Sequence, residues 1–336
     1  MRSRGLVFTG QWQARWEEAD PGDDLKPTEV LVETLCSVVS AGTDVSIYTG
    51  THRNISNPDA PWPKYPHRPG GHATATVLAT GAAVTGLRTG DVIVTMSCRM
   101  ASHSVLDTTT AIYERLLAAV APHLAPLASH STVPINSIRV ADLKLGETVA
   151  VFGLGLIGQY AVQYAKIAGA DRVIAIDPIE RRRATALENG ADLAIDPTGV
   201  AAERQVIDYT GGGAEVVIEA SGAGAAVPPA LRAAARFGRV ILLGSTRGDV
   251  TVDIYNDIHR KGVSVIGSNP TPDVGNPQYA WTRGRNLRVA LSLLTQGRLR
   301  LDNLVSHRVP AGEAQGIFDR LGRQPQDYLG VVLDWQ

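Results

Sequence analysis

The sequence predicts an α/β protein in which a parallel sheet is preceded and followed by parts of a barrel-like domain. From about residue 123 onward, apolar strand-like runs alternate with helical segments, which is typical of a parallel sheet covered by helices on both faces. Before that point, short strands follow one another with little more than turn residues between them. The chain has 336 residues, enough for two domains, and combines 34 glycines with only 5% aromatic residues. This composition suits a tight-turned α/β sheet better than an aromatic-rich β-sandwich.

The first 115 residues are predicted to form short antiparallel strands, for example Glu29–Leu35, Ala73–Ala79 and Asp91–Thr95. Most segments between such strands are too short for a crossover helix, so a parallel arrangement is disfavoured. We therefore expect a small barrel-like domain, with the proline-rich segment 50–69 as a surface loop. A short helix is predicted next, at Leu116–Ala121.

A six-stranded, doubly wound parallel sheet is predicted for residues 123–268. Its strands are Thr148–Phe152, Arg172–Ile176, Leu193–Ile195, Glu215–Ala220, Val240–Leu243 and Val263–Ile266. The helices predicted in this region and after it are Ile157–Ala168, Glu180–Asn189, Asn286–Thr295 and Ala311–Leu321. A closing strand at Leu329–Trp335 completes residues 269–336, which are expected to return to the first domain.

Charge and cysteine content exclude several classes of protein. The 32 Lys and Arg residues balance 33 Asp and Glu residues, and the net charge of −1 removes the sequence-independent case for binding nucleic acid or an anionic membrane surface. The two cysteines, Cys36 and Cys98, cannot supply a four-cysteine zinc lobe. Because the N-terminus lacks the apolar core of a signal peptide and no stretch approaches about 20 apolar residues, a cytoplasmic location is expected.

A phosphate-binding turn is predicted where the strand Thr148–Phe152 meets the following helix. The turn reads Gly153-Leu154-Gly155-Leu156-Ile157-Gly158, a G-x-G-x-x-G pattern. The first glycine permits the tight turn, the second allows backbone to approach a pyrophosphate, and the third lets the helix pack on the strand. The N–H groups of Gly155, Leu156 and Ile157 are expected to face the pyrophosphate at the positive end of the helix.

The next strand indicates which dinucleotide is bound. Asp177 follows it directly, 19 residues after Gly158 (177 − 158), where a carboxylate accepts hydrogen bonds from an adenosine ribose. A carboxylate repels a 2′-phosphate, so NAD is predicted rather than NADP. This assignment is complicated by three arginines that follow closely, Arg181, Arg182 and Arg183. One of them could contact the ribose or a phosphate, and Arg182 is the candidate.

With these residues in place, the chain resembles the medium-chain dehydrogenase/reductase superfamily, the zinc alcohol dehydrogenase-like proteins. The matching segments are Ser40-Ala41-Gly42-Thr43-Asp44, Pro69–His72, Thr85–Val92, Leu145–Gly158, Ile218–Gly222 and Gly297–Trp335. The resemblance implies a GroES-like broken β-barrel substrate domain, residues 1–122 and 269–336, and a Rossmann domain, residues 123–268. It also implies an active site in the cleft between the two domains, with Ser221, Gly244, Ser245 and Ser268 beside the cofactor.

The departures from the family pattern concern the metal. Where metal-dependent relatives have their first cysteine ligand, this sequence has Ala41, and the family's glutamate after His72 is Ala73. The third ligand, a cysteine or carboxylate, falls in a region that reads Ala128-Ser129. The sequence thus resembles the zinc-free branches of the superfamily, and no metal site is predicted.

Five residues are candidates for the chemistry that zinc would otherwise support. Thr43 is expected to contact the substrate hydroxyl, although a turn hydroxyl is an equal alternative. His72, with a pKa near the operating pH, is expected to be the base or relay, and Asp44 is expected to orient its imidazole. Tyr48 and His130 are the alternative candidates for this proton transfer.

Three functions remain open. The first is zinc-independent, NAD-dependent oxidation of a secondary alcohol of polyol, cyclitol or amino-sugar type. The second is reduction of activated double bonds, as in quinone or enoyl reductases, and the third is dinucleotide binding without catalysis. A homodimer is also predicted, because Gly262–Ser268 is the last strand of an open sheet and its apolar edge needs a partner.

Overall fold

The computed structural model describes residues 2–21, 24–268 and 281–336, and the chain divides into two units. The first unit comprises Met1–His130, Pro277–Gly297 and Val305–Gln336, and the second comprises Ser131–Asn276 and Arg298–Leu304. The predicted boundary at residue 269 lies outside the described residues. The assignment of functional domains made from the sequence remains a prediction.

The first unit begins with an antiparallel sheet. Its elements up to residue 130 are β1 (Ser3–Gly10), β2 (Gln13–Ala19), β3 (Glu29–Val38), α1 (Thr43–Tyr48), β4 (Gly70–Thr80), β5 (Val92–Arg99), β6 (His103–Asp107), β7 (Tyr113–Arg115) and α2 (Ala125–His130). Strand β3 pairs antiparallel with β4 and with β6, while β1 and β2 form a separate hairpin. The antiparallel strands predicted from the sequence are therefore confirmed.

The helix predicted at Leu116–Ala121 is wrong. This segment has no regular structure, and Leu117 is 56% exposed. Pro122 follows at once and disfavours the helical conformation of the residue before it. Six residues with one buried side chain, that of Val120, cannot offset this preference.

The second unit contains the parallel sheet. Its elements are α3 (Thr132–Val140), β8 (Thr148–Phe152), α4 (Leu156–Ile167), β9 (Arg172–Ile176), α5 (Glu180–Glu188), β10 (Leu193–Ile195), α6 (Ala202–Thr210), β11 (Ala214–Glu219), α7 (Val227–Ala233), β12 (Ala234–Leu242) and β13 (Ser264–Gly267). Within the described residues, six strands run in the order β10-β9-β8-β11-β12-β13, and every neighbouring pair is parallel. The predicted α/β fold with a doubly wound sheet is confirmed.

Strand β8 shows why these strands read as continuous apolar runs. Val149 and Val151 belong to one buried cluster, and Ala150 and Phe152 belong to another on the opposite face. Alternate residues of a strand point to opposite faces, so a strand covered by helices on both sides must be apolar throughout.

The last part of the chain supplies α8 (Arg283–Thr295), β14 (Val305–Pro310), α9 (Ala314–Arg323) and β15 (Gly330–Asp334). Strand β15 pairs antiparallel with β3 and parallel with β14, so the C-terminal strand joins the sheet of the first unit. Every helix in the described ranges is too short or too polar to span a bilayer.

Candidate functional site

The glycine-rich turn between β8 and α4 has the conformation that its sequence predicts. Gly153 has a φ of +87°, and a Cβ there would lie 2.6 Å from the backbone of Ser221. A Cβ on Gly158 would lie 1.9 Å from the carbonyl oxygen of Gly153. A Cβ on Gly155, the residue that precedes α4, would meet nothing within 4 Å. The outer glycines are thus required by packing, whereas the middle one leaves open space at the helix N-terminus.

Asp177 fixes this turn from the end of β9. Its Oδ2 accepts the Leu154 N–H at 2.7 Å, and its Oδ1 accepts the Ile179 N–H at 2.8 Å. Arg182 Nη1 lies 3.9 Å from the same Oδ2, in a side chain that is largely buried. Arg183 instead donates to the Asp177 carbonyl oxygen at 2.7 Å. The Asp177 carboxylate therefore lies at the glycine turn, with the Arg182 guanidinium next to it.

Ser221 and Ser268 use their hydroxyls within the protein. Ser221 Oγ donates to the Glu219 carboxylate and accepts the Ala223 N–H at 3.0 Å. Ser268 is 1% exposed, and its Oγ lies 2.8 Å from Ser137 Oγ. Both hydroxyls therefore have hydrogen-bond partners within the protein.

Glu219 was missed in the sequence. It ends β11, is fully buried, and its carbonyl oxygen accepts the Gly244 N–H at 2.7 Å. The sequence feature that could have indicated Glu219 is its position as a carboxylate at the end of an apolar strand, directly before the Ala-Ser-Gly segment 220–222.

His72 lies on β4 beside two residues of α2. Its Nδ1 is 2.6 Å from Ser129 Oγ, and its ring centroid is 5.1 Å from that of His130, with the planes nearly perpendicular. Burial, together with the positive charge that His130 and Arg283 can carry, lowers the pKa of His72 well below its usual value. Burial lowers the pKa of His130 to about 4. Both imidazoles are therefore neutral at neutral pH, and the expectation of a His72 pKa near the operating pH is wrong.

The expected roles of Asp44 and Tyr48 need correction. Asp44 Oδ2 accepts the Ser40 N–H at 3.2 Å, while the Nδ1 of His72 is taken by Ser129, so Asp44 does not orient the imidazole. Burial raises the pKa of Asp44 to about 7. Tyr48 is fully buried in the core and donates its hydroxyl to Asp319 at 2.6 Å, which explains it as a structural residue rather than a catalytic reserve. Thr43, the first residue of α1, is exposed.

The residues at the family's metal positions do not fit zinc. Ala41 has no ligating atom, and His72 bonds to the Ser129 hydroxyl. Cys36 donates its thiol to Asp334 Oδ1 at 3.2 Å and is not associated with His72. Across the described part of the chain, no group of three or more His, Cys, Asp or Glu side chains could hold a metal ion. A catalytic zinc site normally uses three protein ligands.

The parallel sheet and the glycine turn are typical of dinucleotide-binding proteins. Residues 157–274 match the family described as zinc-binding dehydrogenase. The chain is 33% identical over 174 residues to D-guloside 3-dehydrogenase of Escherichia coli (strain K12), covering 51% of this chain and 49% of that protein. It thus spans about half the length of that relative.

Two further comparisons extend over most of the chain. L-Threonine 3-dehydrogenase of Pyrococcus horikoshii is 27% identical over 310 residues, covering 84% of each protein. The crystal structure of 2R,3R-butanediol dehydrogenase from Bacillus subtilis has the same fold, with a TM-score of 0.84 and 20% identity over 99% of this chain and 100% of that one. These similarities agree with the resemblance to the medium-chain dehydrogenase/reductase superfamily that the sequence motifs indicate.

Proposed function

We propose that this protein is an NAD-dependent oxidoreductase that transfers a hydride between a secondary alcohol and the nicotinamide without zinc. The observation that carries the proposal is the Asp177 carboxylate, which is bonded to the glycine turn beside an open helix N-terminus. The proposed substrate class is a polyol, cyclitol or amino-sugar hydroxyl. Its support is that two relatives are named as dehydrogenases of D-guloside and L-threonine.

The residues around the turn fit an NAD molecule. The free N–H groups at the start of α4 suit a pyrophosphate, and Gly155 leaves room for it. Asp177 uses each carboxylate oxygen for one backbone N–H and so keeps acceptor capacity for ribose hydroxyls. A 2′-phosphate in that place would meet the carboxylate, which favours NAD. Arg182, close to Asp177, is assigned to balance its charge.

We propose that His72 accepts the proton of the alcohol and that Ser129 orients the His72 ring. A bound NAD⁺ would supply the acceptor for the hydride of the carbinol carbon, so the proton of the hydroxyl would need an acceptor among the protein's own side chains. The neutral His72 imidazole can accept that proton, while the Ser129 hydroxyl at 2.6 Å fixes the ring. Burial lowers the pKa of His72, so the ring is neutral and its role is proposed as that of a base or relay. Thr43 remains the residue proposed to contact the substrate, and His130 remains the alternative candidate for accepting the proton.

A homodimer is proposed through strand β13. Within the described residues this strand pairs with β12 and ends the parallel sheet. Val265 on β13 is 42% exposed. An apolar edge strand tends to pair with another chain, and a second copy of β13 would continue the sheet.

A substrate panel tests the proposed activity. Secondary alcohols of the three named types would be offered with NAD and with NADP, and enones with NADH and with NADPH, while the nicotinamide absorbance is followed. Oxidation of an alcohol with NAD supports the proposal. Reduction of enones alone would indicate a double-bond reductase, and cofactor binding without turnover would indicate a binding protein, and either result would contradict it.

A further inference from the structure

Glu219 is bonded to two loops at the carboxyl end of the parallel sheet. Its Oε1 accepts the Ser221 N–H at 2.8 Å and also the Ser221 hydroxyl, and its Oε2 accepts the Gly222 N–H at 3.3 Å. Its backbone carbonyl oxygen accepts the N–H groups of Leu243 at 2.9 Å and Gly244 at 2.7 Å. One buried residue therefore anchors both the loop after β11 and the loop after β12.

These two loops also lie against the glycine turn. A Cβ on Gly153 would come within 2.6 Å of the Ser221 backbone. A Cβ on Gly244 would come within 2.3 Å of the Gly222 nitrogen and 2.9 Å of Glu219 Oε2. The three loops are therefore packed without spare room, and the position of each depends on the others.

The strand order determines which part of a dinucleotide these loops would meet. The order reverses between β8 and β11, because β9 and β10 lie on one side of β8 and β11, β12 and β13 on the other. In such sheets the dinucleotide crosses the reversal point, with one mononucleotide half on each side. Asp177 stands at the end of β9, so the adenosine half belongs to that side and the nicotinamide half belongs over the loops that Glu219 anchors.

We propose that Glu219 is a positioning residue for the nicotinamide half of the cofactor. Its carboxylate holds the loop after β11, and Gly244 of the loop after β12 packs against that loop and against the carboxylate itself. The proposal rests on the proposed function, since it requires a dinucleotide. Glu219 acts through Ser221, Gly222 and Gly244, and it needs no contact of its own with the cofactor. Glutamine cannot replace Glu219 fully, because both oxygens of the carboxylate accept hydrogen bonds. In glutamine one of these acceptors becomes an NH₂ group, which would face a donor and form no hydrogen bond with it.

The test compares NADH with 5′-AMP, which carries the adenosine half alone. Glu219→Gln is expected to weaken NADH binding by about tenfold, the loss expected from one buried charge-assisted hydrogen bond, and to leave 5′-AMP binding unchanged. Ser221→Ala keeps the carboxylate and both N–H bonds, so a smaller loss for NADH, again with none for 5′-AMP, is expected. Titrations by fluorescence and calorimetry, well below the unfolding temperature of each variant, give both affinities.

The matched control is Glu215→Gln at the opposite end of β11. Glu215 Oε2 accepts the Thr148 N–H at 2.8 Å, so this variant also disturbs a carboxylate bonded to backbone. It should leave both affinities unchanged. The proposal would be overturned if Glu219→Gln lost affinity for NADH and for 5′-AMP equally. It would also be overturned if both Glu219→Gln and Ser221→Ala kept the wild-type affinity for NADH. If Glu219→Gln fails to fold, Ser221→Ala decides alone, and a wild-type protein that binds neither ligand would overturn the proposed function as well.

Discussion

The Asp177 carboxylate accepts the Leu154 N–H at 2.7 Å, so the side chain assigned to the adenosine ribose also fixes the turn assigned to the pyrophosphate. The two parts of the cofactor site are therefore coupled through one hydrogen bond. A change at Asp177 should alter both the choice of dinucleotide and the order of the turn.

Replacing Asp177 by serine should weaken NAD binding by about 1.5–3 kcal/mol, because a charge-assisted contact is lost, and should improve NADP binding relative to NAD. Calorimetry with both dinucleotides measures this. Asp196→Asn is the control, since Asp196 follows the neighbouring strand β10 and pairs with Arg183 at 3.2 Å. Tighter binding of NADP than NAD by the unmodified protein would refute the assignment.

Gly155 and Gly158 should respond differently to alanine. The Cβ of Gly158→Ala would lie 1.9 Å from the Gly153 carbonyl oxygen, so we expect a loss of about 2 kcal/mol or more in the free energy of unfolding. Gly155→Ala meets open space and should unfold like the wild type, but its methyl group would occupy the place proposed for the pyrophosphate. Chemical denaturation together with NADH titration separates the two effects. Equal stability of both variants would argue against the packing described for this turn.

Replacing His72 by alanine should lower turnover by about a hundredfold or more, the usual contribution of a general base or relay, and leave NAD affinity nearly unchanged. Ser129→Ala should lower turnover less, because the imidazole stays but loses its hydrogen bond. His103→Ala is the control, since His103 lies on β6 and its Nδ1 is bonded to Ser102. Near-native turnover of His72→Ala would move the proton-accepting role to another residue.

The buried histidines and Asp44 should give stability a characteristic dependence on pH. The folded-state pKa of His130, about 4, lies below its unfolded value of 6.5, so its stabilisation is present above pH 6.5 and is lost as the pH falls toward 4. Asp44 has the opposite sign. Its folded pKa of about 7 lies above 3.8, so its stabilisation is present at low pH and is lost as the pH rises through that window.

Two variants separate these contributions in denaturation curves between pH 4 and 7.5. His130→Asn should reduce the loss of stability on acidification, and Asp44→Asn should increase it, because the compensating group is gone. An unchanged slope in both variants would mean that neither group titrates in this range.

Strand β13 should carry the contact between two copies of the chain. Val265→Glu places a charge on the proposed interface and should convert a dimer into a monomer in light scattering at micromolar concentration. Val200→Glu is the control, because Val200 is 60% exposed outside any strand. A wild-type monomer at that concentration would contradict the proposed assembly.

Local patterns in the sequence predicted the parts of the fold that depend on neighbouring residues. The bounds of β8, β9 and β10 follow from uninterrupted apolar runs between turn residues, and the structure has them at the same residues. The glycine turn was predictable for the same reason, because its strand, glycines and helix are consecutive. The helix predicted at Leu116–Ala121 is absent although all six residues are apolar, because Pro122 disfavours a helical conformation for the residue before it.

Contacts between distant residues could not be predicted in this way. Ser129 is 57 positions from His72, and Asp319 is 271 positions from Tyr48, so no spacing in the sequence indicates either hydrogen bond. Burial of His72 and Asp44 is likewise a property of the assembled unit, and it shifts their pKa values away from those of isolated side chains. The sequence therefore indicates candidate residues, whereas their roles depend on contacts and burial that only the folded structure shows.

Zinc-independent activity is tested by NAD-dependent oxidation of a secondary alcohol by the purified protein, measured together with its metal content. We expect turnover without stoichiometric zinc, and we expect the rate to be unchanged after treatment with a chelator, because the residues at the family's metal positions offer one imidazole and no thiolate or carboxylate. One zinc ion per chain, with activity that is lost on chelation and restored by zinc, would show that the reaction depends on the metal and would refute the proposed mechanism.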